Sequence, residues 1–262
     1  MCKVRYVSNE LTHFVGRGLK TEEERFSLLV KILRTRWLRP SHREELGPGF
    51  TLMADTRKYL SSNEAVRAAA VCFCDIPADC LRIHMEKYGR FGLAFTKEYM
   101  LSRGASPVFY VAADAAPPAE PGIGPRTLGE KFDHLYAELQ AVCFEMTEFA
   151  RTRIGQTGSE MITFKHSPEG TPDELRILGK LNAIEGDLDS MVFAHLKFFE
   201  GRLGEGDKDN YYMEREWRKV GGLAFALRDL HHVILPTSYK PRLKELLPDY
   251  SGDFLDPESM GQ

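Results

Sequence analysis

The sequence predicts an α+β fold, in which a split sheet of mixed or antiparallel strands is interrupted by a helical insertion. Three observations predict it. Short apolar segments with strand character cluster at the two ends of the 262-residue chain, helical periodicity dominates its middle, and strands and helices do not alternate regularly. We expect a single domain over residues 1–262, with the helical insertion at residues 126–205.

The first part of the chain predicts short strands and helices. Thr21 and Glu24 form a capping-box pattern that begins a helix, and this helix presents Phe26 and Leu33 on one face. In chain order we expect a strand at 8–15, a helix at 22–37, a weak helix at 61–70, a strand at 71–74, a helix at 78–88, a strand at 89–95, a short helix at 97–102 and a strand at 107–112.

Composition then shifts at residues 113–125, where Ala, Pro and Gly predict a linker, because prolines cannot support a regular hydrogen-bond ladder. The remaining segments follow from periodicity and from glycine or proline boundaries. We expect an amphipathic helix at 131–152, a strand at 161–166, a helix at 173–200, a loop at 201–210, a segment at 211–220 that leads into a strand, strands at 223–225 and 230–235, a helix at 241–247 and a frayed final dozen residues.

Composition and charge exclude several classes of protein. Hydrophobic residues make up 43% and charged residues 28%, as in ordinary globular domains, so disorder is not the main state. The net charge of −3 disfavours a broad grip on nucleic acid, although a basic run at residues 31–43 leaves a nuclease as an alternative. No apolar run approaches the roughly 18 residues of a membrane span. Five cysteines favour a reducing cytoplasm over a disulfide scaffold.

Two glutamates near the C-terminal strands are candidate catalytic residues. If residues 214–218 are extended, Glu214, Glu216 and Arg218 share one face, and the two carboxylates raise each other's pKa. One interpretation is a solvated edge strand with salt bridges. The other is a pair of glutamates in a cleft, where one binds a ribose hydroxyl and stabilises a developing positive charge.

The histidines have both structural and functional interpretations. His13 lies in an apolar segment, where it is either a core residue or a donor to a sugar hydroxyl. For the pair His231 and His232, we expect one ring to face inward and the other outward, with a core or surface role favoured over a ligand role.

We predict no metal site from the sequence. The spacing of Cys72, Cys74, Cys80 and His84 is not that of a standard zinc site, and a buried strand explains the first two cysteines equally well. The glycine motifs that bind phosphate in P-loop and dinucleotide-binding proteins are also missing from the sequence.

Several segments together resemble the bacterial abortive-infection AbiGi family, which is described as the antitoxin side of a phage-resistance pair. This resemblance implies a cognate toxin or antitoxin protein, or a phage component, as partner. The segments that carry it are SNELTHFVGR at 8–17, the helix at 26–33, VCFCDIP at 71–77, YGRFGLAFTK at 88–97, PVFYV at 107–111 and YMEREWR at 212–218.

A more remote resemblance is to the ADP-ribosyltransferase fold, in which a split sheet holds NAD in a cleft. It implies that NAD is a substrate of this chain, bound by residues of the first strand and of a middle segment, and that a late glutamate organises the transfer. Phe95-Thr96 stands where that fold usually has a tyrosine or a Ser-Thr-Ser pattern. The matching positions are Thr12, His13, Phe95, Thr96 and Tyr99 for binding, and His13 with Glu216 or Glu214 for catalysis.

These observations favour two functions. The first is a cytoplasmic phage-defence protein whose ADP-ribosyltransferase-like core uses NAD to modify a target. The alternative is an antitoxin or sensor without catalytic activity, which binds a partner toxin or a phage component through the helical insertion.

Overall fold

The computed structural model describes residues 8–46, 51–116, 127–154, 173–204, 207 and 210–259. It has a mixed α+β architecture, as predicted, and the chain divides into two compact units. The sheet unit comprises Met1–Thr51, Ala68–Tyr110 and Arg202–Gln262, and the helical unit comprises Leu52–Arg67 and Val111–Gly201. The insertion boundaries expected at 126–205 stay a prediction.

The sheet unit is built on seven strands in the order β13-β12-β6-β1-β5-β10-β7. Every neighbouring pair is antiparallel except β12 and β13, which are parallel. A two-stranded ribbon of β2 and β11 lies in the same unit. The strands are β1 (Glu10–Phe14), β2 (Trp37–Leu38), β5 (Ala70–Cys74), β6 (Gly92–Thr96), β7 (Ser106–Pro107), β10 (Glu216–Val220), β11 (Leu223–Ala224), β12 (Leu230–Ile234) and β13 (Asp253–Leu255).

The helices of the sheet unit cover both faces of the sheet. Helix α1 begins at the predicted capping box, where Thr21 and Glu24 bind each other's backbone amides. Its buried Phe26 and Leu29 pack in the main core, whereas Leu81 and Met85, in and just before α3, pack in a second core. The helices are α1 (Glu22–Thr35), α2 (Arg43–Leu46), α3 (Arg82–Tyr88), α4 (Lys97–Ser102) and α7 (Lys240–Leu246).

The helical unit packs around the buried aromatic ring of Tyr136, which meets the ring of Phe193 edge-on at 5.0 Å. Asn63 ties this core together, because its side chain both donates to and accepts from the backbone of Phe198. Strand β3 pairs with β4, and β8 with β9. The elements are β3 (Leu52–Ala54), β4 (Val66–Ala68), β8 (Phe109–Ala112), α5 (Leu128–Ile154), α6 (Asp173–Asp187) and β9 (Leu196–Phe199).

Four of the predicted elements are wrong in the structure. The helix at 61–70 is a 3-10 turn followed by β4, because Asn63 adopts a left-handed conformation that ends the turn. The helix at 173–200 gives way to strand β9 at Leu196. The strand at 107–112 is divided between β7 and β8, and the C-terminal end forms β13 beside β12 instead of fraying.

Two other predictions lie partly or wholly outside the described residues. The strand expected at 161–166 lies entirely outside the described residues, and so does most of the linker expected at 113–125. The helix expected at 131–152 is confirmed as α5, which is longer at both ends. Within the described part of the chain, no helix combines the length and apolar character that crossing a membrane requires.

Asp189 of the helical unit makes stability depend on pH. Its side chain is 8% exposed, and burial together with the charge of Glu185 raises its pKa to about 6. The folded state therefore binds this proton more tightly than the unfolded chain does. The corresponding stability is present below about pH 4 and is lost as the pH rises through about 6.

We therefore predict that Asp189→Asn raises the free energy of unfolding at pH 7 by about 1–2 kcal/mol and flattens its decline between pH 4 and pH 7. Urea unfolding at several pH values measures this. The exposed neighbour Asp187 is the matched control, and Asp187→Asn should leave the profile unchanged. A profile for Asp189→Asn identical to that of the wild type would show that the buried carboxyl does not titrate as described.

Candidate functional site

The sheet is almost divided between β1 and β5. Strand β1 pairs with β6 over five residues, Glu10–Phe14, and β5 pairs with β10 over five, Ala70–Cys74. Between β1 and β5, in contrast, the only register pair is Thr12 with Cys74. The two well-paired halves of the sheet are therefore joined by one register pair, and we call the gap between β1 and β5 beyond it the split.

His13 reaches across the split with its side chain. Its Nδ1–H donates to the carbonyl oxygen of Cys72 at 2.8 Å, and its ring lies 5.6 Å from the ring of Phe73. Burial lowers the pKa of His13, against the opposing effect of the bond to Cys72, so the imidazole is neutral at physiological pH. With Nδ1 protonated, Nε2 is an acceptor, whereas the sequence analysis expected a donor.

Thr12, Cys74 and Glu216 form a row across three strands. Thr12 and Glu216 both pair with Cys74, from opposite sides, so the three side chains point to one face of the sheet. Thr12 is 1% exposed, and its Oγ1 has no hydrogen-bond partner within the described residues. A buried hydroxyl of this kind, beside the split, is suited to binding a polar group that enters there.

Glu216 is held in place by three bonds. Arg218 Nε donates to its Oε1 at 2.7 Å, and the Glu216 backbone N–H donates to the hydroxyl of Tyr110 at 2.6 Å. Its carbonyl oxygen accepts from the backbone N–H of Val108 at 3.0 Å. The Glu216 side chain is only 8% exposed, so the carboxylate is buried beside its guanidinium partner. The guanidinium of Arg218 thus compensates the negative charge of the buried carboxylate.

Glu214 lies outside the strand, which corrects the prediction that residues 214–218 are extended. It ends a 3-10 helix at Tyr211–Glu214, and Arg215 then adopts a left-handed conformation with φ 44° before β10 begins. The Glu214 carboxylate accepts from Lys87 Nζ at 2.7 Å and from the hydroxyl of Tyr88. The two glutamates are close to each other because Arg215 turns the backbone between them, and not because they alternate along one strand.

Positive charges and tyrosines surround the two glutamates. Burial and the bond to Glu214 raise the pKa of Tyr88, so its hydroxyl stays protonated as a donor. Burial likewise raises the pKa of Tyr110. The guanidinium of Arg17 lies 5.1 Å from the centre of the Tyr88 ring. Cationic and hydroxyl groups therefore line the side of the site opposite the sheet's main core.

Asp75 anchors the turn that carries the glutamates. Its Oδ2 accepts from Lys97 Nζ at 2.8 Å and from Arg215 at 3.3 Å, and its backbone N–H donates to the Arg215 carbonyl at 3.1 Å. These bonds hold the turn against the end of β5. They also compensate the energetic cost of the left-handed arginine.

In the middle segment predicted to bind NAD, the side chains of Phe95, Thr96 and Tyr99 make structural contacts with neighbouring residues. Phe95 is completely buried in the main core and stacks on Tyr99, with ring centres 5.6 Å apart. Tyr99 donates its hydroxyl to the Ala224 carbonyl at 3.2 Å, and Thr96 caps α4 by accepting from the Tyr99 backbone. The structure therefore places Thr12 and His13 on β1 beside the split, Glu216 on β10 one strand beyond it and Glu214 in the preceding turn, whereas the other three lie on β6 and α4.

Sequence reasoning did not assign a role to Tyr88, Tyr110, Lys87 or Arg17. The sequence does contain a signal for Tyr88, Tyr110 and Arg17, since all three lie in the segments that carry the family resemblance. Strand alternation also separates the predicted residues: Thr12 and Glu216 share one face, whereas His13 and Phe73 point to the other. His13 still belongs to the split because strand carbonyls, including that of Cys72, lie in the plane of the sheet.

The arrangement places a neutral imidazole acceptor and a buried hydroxyl, which has no partner among the described residues, on β1 and an anchored carboxylate on β10, with β5 between them. Such a set can bind sugar hydroxyls and stabilise positive charge. The cysteines and His84 considered for zinc do not form a ligand cluster within the described residues. A different group of potential metal ligands does come together among the described residues, and it comprises Glu10, His231 and His232.

Comparison with known proteins gives one match. A family model described as "Putative abortive phage resistance protein AbiGi, antitoxin" matches residues 49–239. This range includes Glu214 and Glu216 but not the first strand with Thr12 and His13. A search of curated proteins and a search of solved structures gave no match. The resemblance to this family that the sequence motifs indicate is thereby confirmed.

We predict that Arg218→Ala lowers the free energy of unfolding by about 3–5 kcal/mol, because Glu216 then stays buried without this guanidinium. Urea unfolding at pH 7 measures the change. The control is Arg39→Ala, which removes the exposed ion pair between Arg39 and Glu44 and should change stability little. Equal effects of the two substitutions would contradict the buried pairing of Glu216.

Proposed function

The chain belongs to the AbiGi family of abortive phage resistance proteins, and we propose that it acts in phage defence by transferring ADP-ribose from NAD at the split. The observation that carries this proposal is the row of Thr12, Cys74 and Glu216 across a sheet that is nearly divided. The fold resemblance implies the same use of a late glutamate. The family assignment itself concerns phage resistance and names no reaction.

Thr12 and Glu216 share one face of the sheet, two strands apart. Cys74 of β5 stands between them, so two strand spacings, or roughly 10 Å, separate their backbones. In the proposal the ribose that bears nicotinamide lies over Cys74, between the side chains of Thr12 and Glu216. Thr12 and the Nε2 atom of His13 bind ribose hydroxyls from β1, and Glu216 approaches the ribose from β10.

The charges around the site suit the rest of a dinucleotide. Arg17 and Lys87 supply cationic groups that pair with a diphosphate. Tyr88 supplies an aromatic face close to the carboxylates, since its hydroxyl binds Glu214. We assign the contact with nicotinamide to Tyr88 because its ring lies beside the carboxylates, whereas Phe95 and Tyr99, which the fold resemblance implies for NAD binding, pack in and against the main core.

The proposed reaction breaks the bond between nicotinamide nitrogen and ribose C1′. The bonding electron pair leaves with nicotinamide, which departs as a neutral molecule. Positive charge then develops on the ribose, and the Glu216 anion stabilises it because Arg218 holds the carboxylate in place. A nucleophilic group of the target attacks C1′ and loses its proton to a carboxylate, for which Glu214 is the nearest candidate. The target thereby gains one ADP-ribose.

We predict that Glu216→Gln lowers the rate of nicotinamide release from NAD by about 100- to 1000-fold, because the neutral amide no longer stabilises the ribose cation. Chromatographic quantification of nicotinamide measures the rate. The matched control is Glu44→Gln, whose carboxylate is exposed on α2, and this variant should match the wild type. Equal turnover by wild type and Glu216→Gln would refute the transferase proposal.

We also propose, as the alternative function, that the chain is an antitoxin that binds a partner protein. The family description favours it, and so does the surface of the helical unit. Large apolar side chains are more than half exposed there, which is typical of interaction surfaces. They are Leu135, Phe144, Ile184 and Met191.

We predict for this alternative that co-expression with the wild-type chain restores growth to cells that express the toxic product of the neighbouring gene. The double variant Phe144→Asp and Met191→Asp should lose this protection, because buried charges in an apolar interface are costly. Leu101→Asp is the control, since Leu101 is equally exposed but lies in the sheet unit. Growth that the wild-type chain does not improve would argue against an antitoxin role.

A further inference from the structure

Three side chains of the sheet unit converge on one point at the end of β1. His231 Nδ1 lies 2.7 Å and His232 Nδ1 lies 3.4 Å from the same oxygen, Oε2 of Glu10. The two Nδ1 atoms are 3.0 Å apart. The Glu10 and His232 side chains are about nine-tenths buried, whereas the His231 side chain is 53% exposed. The cluster is therefore fixed on its inner side and open to solvent on its outer side.

An irregularity of β12 makes this convergence possible. Leu230 pairs with Phe95 and His232 pairs with the next residue of β6, Ala94, so His231 is an extra residue in a bulge. Adjacent residues of a regular strand point to opposite faces, which is why the sequence analysis separated the two rings. Their exposures do differ as expected, but the bulge turns both Nδ1 atoms toward Glu10.

The residue between the strands leaves room for the contact. Strand β6 separates β12 from β1, and Ala94 pairs with His232 on one side and with Thr12 on the other. Its small methyl group allows the side chains of His232 and Glu10 to meet above it. The backbone N–H of Glu10 donates to Ser8 Oγ at 3.0 Å, which fixes the start of the strand.

Hydrogen bonds alone satisfy this cluster poorly. An imidazole Nδ1 is either a donor or a lone-pair acceptor, and the carboxylate oxygen is an acceptor only. Within hydrogen-bond distance of one another, three such atoms need protons on the nitrogens or a cation at the centre. His232 is buried, and its Nε2 has no hydrogen-bond partner in the described part of the chain. Protonating His232 in addition to His231 would place a second positive charge on a buried ring, which is costly.

We propose that Glu10, His231 and His232 bind a divalent transition-metal ion, with Zn²⁺ as the expected occupant. Two imidazole nitrogens and one carboxylate oxygen are ligands that Zn²⁺ takes at about 2.0–2.2 Å. In a tetrahedron of that size the ligand atoms are roughly 3.3–3.6 Å apart. The observed separation of 3.4 Å already fits, and those of 2.7 and 3.0 Å would lengthen by less than about 1 Å. The exposed side of His231 gives the ion a route of entry.

The bound ion would join β1 to β12 across β6. It would therefore stabilise the half of the sheet that carries Thr12 and His13, without being part of the split itself. The site does not depend on the proposed transfer reaction, because its three ligands are distinct from the residues assigned there. It is testable on a protein that shows no NAD turnover.

We test the proposal by titrating the full chain with Co²⁺, which reports tetrahedral ligation through visible d–d absorption, and then displacing it with Zn²⁺. We expect saturable binding of one ion per chain. His231→Ala should weaken Zn²⁺ affinity by at least about tenfold, and its exposed position makes a folding defect avoidable. The control is His42→Ala, which removes another exposed histidine and should bind like the wild type.

Glu10→Gln gives a second readout, because it keeps the shape of the side chain but removes the anionic ligand. This variant should also lose affinity and lose the rise in melting temperature that Zn²⁺ gives the wild type. Absence of saturable 1:1 binding to the wild type would overturn the proposal. Equal Zn²⁺ affinities of His231→Ala and His42→Ala would overturn it as well.

Discussion

The divergence of β1 from β5 is the constraint on which the candidate site depends. A strand that leaves its neighbour also leaves backbone groups that need partners. Here a side chain supplies one of them, because His13 donates to the Cys72 carbonyl. This bond places an imidazole at the gap, while the Glu216 carboxylate lies one strand further along the sheet, on β10.

Each buried carboxylate near the ends of β5 and β10 is paired with a cationic side chain. Glu216 is paired with Arg218, Glu214 with Lys87, and Asp75 with Lys97 and Arg215. Unpaired carboxylates at this depth would be neutralised or expelled. Each anion is therefore preserved by a specific cation, and the site remains electrostatically prepared for a positively charged reaction centre. The same ion pairs would stabilise the fold of a protein without catalytic activity, so they are also compatible with an antitoxin role.

The sequence predicts what local physics determines. The capping box of α1 and the strand at 71–74 depend on near neighbours in the chain, and both are confirmed. The left-handed Arg215, the bulge at His231 and the parallel pairing of β13 depend on distant contacts, and periodicity contains no signal for them. For that reason the sequence identifies the carboxylate pair but predicts the wrong backbone conformation for Glu214, and periodicity alone favours a surface or core role for the histidine pair.

In the proposed transfer the nicotinamide ribose of NAD lies between Thr12 and Glu216. A crystal structure of the Glu216→Gln chain grown with NAD locates the dinucleotide, since slow turnover keeps it intact. We expect density for the ribose over Cys74, with a hydroxyl within hydrogen-bond distance of residue 216. A dinucleotide bound elsewhere on the sheet unit, or no bound dinucleotide at saturating concentration, would contradict the claim.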